Sequence, residues 1–225
     1  MNTSLAIANP RGEARARALL DEARHMFLEQ GYERTNINEL VRRAGGSMTT
    51  LYRYYGSKAG LFAAMIEEAR EQLLSPITRL GDFDEAPEVF LTRLAEAFLR
   101  LVVSPEGVKF FRVLIAETHK FPELQKGVEH GFAQLTNHLT RYLDAQVARG
   151  LLELSDTRRA AAQFYEMVKG QAQLLAVTGL AVLPPQEVRI QVDSAVRLFL
   201  HGCAASPRNP SIGLQPPIVS KGRRS

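Results

Sequence analysis

TNINELVRRAGGSMTTLYRYYGSKAGLF, residues 35–62, reads as two short helices joined by a tight turn and followed by the start of a third. Ile37, Leu40, Val41 and Ala44 recur at i, i+3, i+4 and i+7, which puts four apolar side chains on one face of a helix two turns long. Thr35 or Asn36 can cap it, since either side-chain oxygen can accept from a free amide of the first turn. Glu39, three residues after Asn36, completes a capping-box-like pair. Gly45-Gly46 supplies residues that enter left-handed backbone at no steric cost, which ends the helix. Ser47 is the next N-cap, opening a helix over Met48 to Tyr55.

In that second helix Leu51 and Tyr54 or Tyr55 turn to the core. Thr49, Thr50, Tyr52 and Arg53 are left for the outside. Two helices joined by a short Gly-containing turn form a helix-turn-helix, whose second helix lies in a DNA major groove. The outward set suits a DNA reader, with hydroxyls of Thr49, Thr50 and Tyr52 for phosphates or base edges, Arg53 for a phosphate or a guanine, and the Thr49 methyl for a thymine. Ser57 caps the third helix. Its first turn carries Lys58, a cation where the helix dipole favours an anion, and a phosphate there would reconcile the two.

Thr35, Ala44-Gly45, Ser47, Leu51-Tyr52, Tyr54-Tyr55, Ser57-Lys58 and Leu61-Phe62 together resemble the signature of the tetracycline-repressor (TetR) family of bacterial transcriptional regulators. The resemblance covers about residues 14 to 62. Three positions depart from the family pattern: Gly46 where valine is usual, Met48 where lysine is frequent, and Thr49 where glycine is usual. A glycine loosens the turn, Met48 removes one phosphate contact, and Thr49 adds a branched side chain where the helix approaches DNA. The candidate DNA-binding set is therefore Thr35, Ser47, Met48, Thr49, Thr50, Tyr52, Arg53, Tyr54 and Lys58. An alternative function, a helical small-molecule carrier or adaptor that has lost specific DNA binding, rests on the same three departures.

The chain has 225 residues, 45% hydrophobic and 23% charged, an ordinary globular composition long enough for one sizeable core or two modest ones. Its net charge of +4 is unevenly spread. Residues 1–60 hold nine Lys and Arg against six Asp and Glu, residues 61–205 fifteen against eighteen, and residues 206–225 four cations and no acid. A basic head on a neutral-to-acidic body fits a DNA reader. One cysteine, Cys203, excludes an intrachain disulfide and reads as a small buried residue near a helix end. No signal peptide opens the chain. The longest apolar stretch, Leu174 to Leu183, is interrupted at Thr178 and Gly179 and is far short of the ~20 residues that span a bilayer, so a cytoplasmic protein with no membrane contact is expected.

An all-α fold of about nine helices is expected, an N-terminal three-helix head carrying the helix-turn-helix followed by a helical body. Residues 1–13 read as a flexible arm, with Asn9 to Gly12 turn-like; 14–60 as the DNA-binding head; 61–205 as a ligand-binding and dimerisation body; 206–225 as a disordered tail. The first helix runs from Ala14 to Gln30 and ends at Gly31. The helix from Ser57 continues along Phe62, Met65, Ile66, Ala69 and Leu73 until Pro76 stops it, linking head to body. Further helices follow Pro87, Pro105 and Pro122. A long one runs from Ser155-Asp156 to about Leu180, and the last from about Gln186 to Cys203.

The five histidines show no metal-binding spacing, and no phosphate loop or nucleophile elbow is present, so neither catalysis nor a cofactor is expected. The resemblance implies a small-molecule site inside the body, release from operator DNA on ligand binding, and a homodimer. Candidate ligand-lining residues are Phe98, Phe110, Phe111, Leu114, Phe132, Phe164, Tyr165 and Met167, with Glu117, His119 and Gln171 or Gln173 as polar contacts. Such a lining predicts a hydrophobic or amphipathic effector. The last two helices occupy the family's dimerisation position, which nominates Phe164, Val168, Ala172, Leu175, Val192, Ala195, Val196 and Phe199.

Overall fold

The computed structural model describes residues 10–81 and 83–203, and over these the chain is all helical. The elements are α1 (Pro10–Arg34), α2 (Ile37–Arg43), α3 (Met48–Tyr55), α4 (Lys58–Thr78), α5 (Pro87–Val103), α6 (Pro105–Glu117), α7 (Pro122–Ala148), α8 (Thr157–Lys169), α9 (Ala172–Thr178) and α10 (Pro185–Cys203). The tail, the first nine residues of the arm and the Cys203 side chain lie outside the described residues.

Side-chain caps start the helices of the head. The Asn36 oxygen accepts from the amides of Asn38 and Glu39 at 2.9 and 3.2 Å. Ser47 Oγ accepts from Thr50 at 3.1 Å and Ser57 Oγ from Gly60 at 3.0 Å. Each bond satisfies an amide that the helix itself leaves free. Proline at the first turn opens α5, α6 and α7, where its missing N–H costs nothing.

Three boundaries differ from expectation, and the helix after Pro122 is continuous. Helix α1 begins at Pro10, so Arg11 stands in its first turn rather than in an arm; the helix is broken at Gly31, whose φ is 81°. Pro76 does not stop α4, which continues to Thr78; the Ser75 hydroxyl, 3.4 Å from the Gln72 carbonyl, occupies the acceptor that proline cannot reach. Helix α7 passes unbroken through Gly127 and Gly131. The long helix expected to end near Leu180 is two, α8 and α9, parted at Gly170 with φ 46°, which brings the count to ten among the described residues.

Two hydrophobic clusters form. The body cluster joins α5, α7, α8, α9 and α10, with Phe90 stacked on Tyr142 at 3.7 Å between ring centroids. The Tyr142 hydroxyl donates to the Glu85 carbonyl at 2.9 Å, and burial pushes its pKa up to about 12. The head cluster holds Leu19, Met26, Phe27, Leu40, Leu51, Leu61 and Phe62, and also Phe110, Val113 and Leu124 from α6 and α7. Head and body thus share a core. At their junction Phe121, from the α6–α7 corner, sets its ring 4.6 Å from Tyr32 and 5.8 Å from Phe62.

Candidate nucleic-acid interface and body cavities

Helix α3 is held from behind and bare in front. Leu51 is fully buried in the head cluster, and the Tyr55 hydroxyl donates to the Ala16 carbonyl of α1 at 2.7 Å. Burial raises the Tyr55 pKa, which keeps this donor protonated. Thr49, Tyr52 and Arg53, spaced i, i+3 and i+4, all lie exposed on one face, with Tyr52 56% accessible. The Arg53 guanidinium lies 5.8 Å from the ring of Tyr54, itself exposed. Ser47 is exposed at the cap, and its hydroxyl is 3.0 Å from that of Thr50. On neighbouring helices Arg11, Arg15 and Arg42 stand exposed without an ion pair among the described residues, whereas Arg43 is engaged by Glu22 and Glu39 and Arg17 by Asp21 and Glu68. Arg42 is absent from the expected contacts; its place at the last turn of α2, beside the turn, is the signal that points to it.

Three expected DNA contacts take other positions. Thr35 is 2% accessible and donates its hydroxyl to the Gly31 carbonyl at 2.8 Å, so it fastens the break after α1 instead of facing out. Met48 is half-buried and packs on the head cluster. Lys58 sets its ammonium 4.5 Å from the centroid of Tyr32 and 3.5 Å from the Glu33 carbonyl. Burial holds its pKa below the usual lysine value, with Glu33 and Glu117 opposing the shift. That charge is absorbed at the head–body junction, where the cation–π contact replaces part of its hydration.

The body contains two neighbouring chambers. The inner one, about 60 Å³, lies between α4, α6 and α7, with Phe110 and Leu114 on its wall. The outer one, about 540 Å³, opens between α5, α7, α8 and α9 and is lined by Phe98, Tyr165, Met167 and Gln173 among others. Phe111, Phe132 and Leu135 border both. Phe132, expected on an apolar stripe, is 55% accessible. The Tyr165 hydroxyl donates to the Leu135 carbonyl at 3.2 Å, and burial raises its pKa.

Four of the expected lining residues border neither chamber. Phe164 is fully buried, its ring 5.0 Å from Phe199. Gln171 is exposed ahead of α9, so Gln173 is the glutamine on the wall. His119 is exposed past the end of α6, and Glu117 lies buried 3.1 Å from the Lys120 ammonium.

The expected dimer residues are core as well. Phe164, Val168, Ala172, Val192, Ala195, Val196 and Phe199 are all buried inside the single chain, and Leu175 is half-buried. Their periodicity marks the face that α8 and α10 turn inward. The small residue Gly170 serves the same packing, since a Cβ there would meet the Gln191 amide nitrogen at 2.9 Å. What α10 leaves outside is a different stripe, Ile190, Ser194 and Leu198, with the two apolar members 53% and 66% accessible.

Among the described residues no helix is long and apolar enough to cross a membrane, and no group of three His, Cys, Asp or Glu is placed to hold a metal ion.

Comparison with known proteins matches this architecture. The HTH-type transcriptional repressor Rv1474c of Mycobacterium tuberculosis is 31% identical over 83 residues, 34% of this chain and 44% of the relative. The HTH-type transcriptional repressor ComR of Escherichia coli is 40% identical over 50 residues, 22% of this chain and 24% of that one. An uncharacterised HTH-type transcriptional regulator of M. tuberculosis, Rv1556, is 31% identical over 134 residues, 59% of this chain and 62% of the other. The chain therefore matches less than two thirds of the length of each of these relatives. Among solved structures, a Mesorhizobium loti protein assigned to the TetR family superposes with a TM-score of 0.77 at 23% identity, covering 86% of this chain and 98% of the other. The flavonoid-responsive regulator FrrA superposes with a TM-score of 0.74 at 28% identity, covering 85% and 97%. Residues 19–65 match the family of bacterial regulatory proteins named for tetR, and residues 90–203 match the C-terminal domain of AefR-like transcriptional repressors. With a helix-turn-helix head and a helical body each matched in its own right, the chain belongs to the TetR family of bacterial regulatory proteins.

Proposed function

We propose that this protein is a homodimeric, cytoplasmic repressor that binds operator DNA through α3 and lets go when a hydrophobic or amphipathic small molecule enters the body. The observation that carries the DNA reading is the two-sided character of α3: Leu51 and Tyr55 fix it to α1 and the head core, while Thr49, Tyr52 and Arg53 share one exposed face. A helix so fixed presents hydroxyl, aromatic and guanidinium groups as one rigid reading edge. Arg11, Arg15 and Arg42 supply cations without an ion pair among the described residues for the phosphates on either side. Its action is binding, with no catalytic step.

The stripe Ile190–Ser194–Leu198 is the apolar surface from which a two-fold helix pairing is built. For the effector, the two apolar chambers are the support, and the similarity to FrrA, by name responsive to flavonoids, favours an aromatic molecule. The deciding experiment is selection of bound duplexes from random DNA with the full chain. A near-palindromic consensus with half-sites about one turn, roughly 34 to 36 Å, apart or somewhat more is expected. Recovery of no consensus, with ligand binding intact, would instead mark a carrier that has lost specific DNA binding.

A further inference from the structure

The chemistry of the two chambers specifies the effector more closely than a general apolar pocket does, an inference that rests on the proposed ligand-responsive function. The walls common to both are the side chains of Phe111, Phe132 and Leu135. Phe132 is 55% accessible and so has room to change rotamer, the movement by which the chambers would join without a shift of backbone.

Charge is neutralised on every side. Among the described residues the only charged one lining the inner chamber is Arg70, and its guanidinium is taken by the Glu67 carboxylate and the Gln134 side-chain oxygen. Gly131 lets the aliphatic stem of Arg70 lie against α7, since a Cβ there would stand 3.0 Å from Arg70 Cδ. What faces the space is therefore hydrocarbon. In the outer chamber the charged residues are Glu166 and Lys169, paired with each other at 2.7 Å. One polar group there has no partner among the described residues: the Gln173 side-chain nitrogen is cut off from solvent and makes no hydrogen bond. A buried donor left unmade is unfavourable, and a turn of the half-buried Gln173 side chain toward the chamber lets a ligand acceptor remove that cost.

We propose that the joined chambers take an uncharged aromatic carbonyl compound. Its ring lies in the outer chamber among Phe98, Phe111 and Tyr165, its carbonyl oxygen accepts from Gln173, and a short alkyl substituent fills the inner chamber. At about 60 Å³ the inner chamber is well below the roughly 150 Å³ cavity that holds benzene, so a ring does not enter it and a short chain does.

The test uses the full-length chain and isothermal titration with four probes: valerophenone, pentylbenzene, acetophenone and 4-butylbenzoate. Valerophenone should bind roughly 2- to 13-fold more tightly than pentylbenzene, the value of one net hydrogen bond. It should also exceed acetophenone, which lacks the chain, and the anionic benzoate. Gln173→Leu should abolish the preference for ketone over hydrocarbon, and Leu114→Phe should abolish the preference for the longer chain, each leaving the other preference in place. Either preference surviving its substitution overturns the assignment, as does tightest binding of the benzoate or binding of none of the four. Operator binding measured on the same preparation separates the two readings. Specific duplex binding without ketone binding removes the ligand class alone, and ketone binding without duplex binding removes the regulator.

Discussion

Gly46 shows how a departure from the family pattern is compensated by one neighbour. Its backbone does not need glycine, because the positive φ of the turn falls on Gly45 at 61°. What crowds a side chain there is Leu19 of α1, whose Cδ2 would stand 3.2 Å from a Cβ at position 46 and which, fully buried, has little room to yield. Leu19 already occupies the space that a valine side chain at position 46 would need. Gly46→Val should therefore destabilise the head by about 1 to 3 kcal/mol through overpacking. Pairing it with Leu19→Ala should recover part of the loss, and a double-mutant cycle in urea reads the coupling directly; strict additivity would show that the two positions do not share the space. His138 makes the second prediction at this scale. The ring is 3% accessible, lies near Phe83 and Phe90, and faces the Leu80 backbone. Burial lowers its pKa, the nearby Arg141 lowers it further, and the backbone of Leu80 only partly opposes this. The folded chain thus keeps His138 neutral while the unfolded chain takes up a proton below its ordinary value of about 6.5, so stability falls as pH drops through that value. His138→Leu should remove that part of the slope between pH 7 and pH 5 in urea titrations. An unchanged slope would assign the acid sensitivity to other groups.

Elements were legible in the sequence where their causes are local. The caps of α2, α3 and α4 involve residues two or three apart, so Asn36, Ser47 and Ser57 could be read from the chain alone. The outward face of α3 followed from the same local register. Lys58 was not legible, because its partner Tyr32 lies on another element and nothing in the run Ser57-Lys58 announces an aromatic ring. The inward packing of the nominated dimer residues was not legible for a different reason: period 3.6 finds the buried face of a helix but not the neighbour that buries it, and for α8 and α10 that neighbour includes the chain's own α5 and core. Two expectations follow for these elements. Lys58→Ala should leave the salt dependence of operator binding nearly unchanged, while Arg53→Ala should weaken binding and, where the contact is to phosphate, reduce the slope by about one; a flattened slope for Lys58→Ala would restore its phosphate role. On α10, Leu198→Glu alters a side chain that is 66% accessible, so it should spare the fold and shift the dimer toward monomer in sedimentation. Phe199→Glu, one residue along, inserts a charge into the core and should unfold the body.

For the whole molecule, the shared core means that head and body have more than one connection. Helix α4 is the covalent one, and α6 is a second that the sequence did not reveal. Along α6, Lys109 pairs with Glu29 of α1, Phe110 and Phe111 border the chambers, and Arg112 donates to the Val177 and Ala176 carbonyls at 2.7 and 3.4 Å, at the end of α9. Just beyond the helix, Phe121 enters the head between Tyr32 and Phe62. A ligand that displaces Phe111 therefore presses on an element that leads into Phe121, whose ring touches the Tyr32 ring on which Lys58 rests. The exposed Lys109 ion pair contributes little to that link, because water and salt screen a pair so open to solvent. Phe121 is the stronger candidate, a ring half-buried among rings. Coupling requires that the ligand bind the DNA-competent and incompetent arrangements differently, and typical values are about 1 to 3 kcal/mol, a change of roughly 5- to 150-fold in affinity. Phe121→Ala should reduce that factor toward one while the free protein still binds ligand and still binds operator. Operator titrations with and without saturating ligand, on wild type and variant, measure it, and reciprocity demands the same factor when ligand is titrated with and without operator. Coupling undiminished in Phe121→Ala would remove Phe121 from the path and leave α4 and the packing of Phe110 and Val113 on the head to carry the signal.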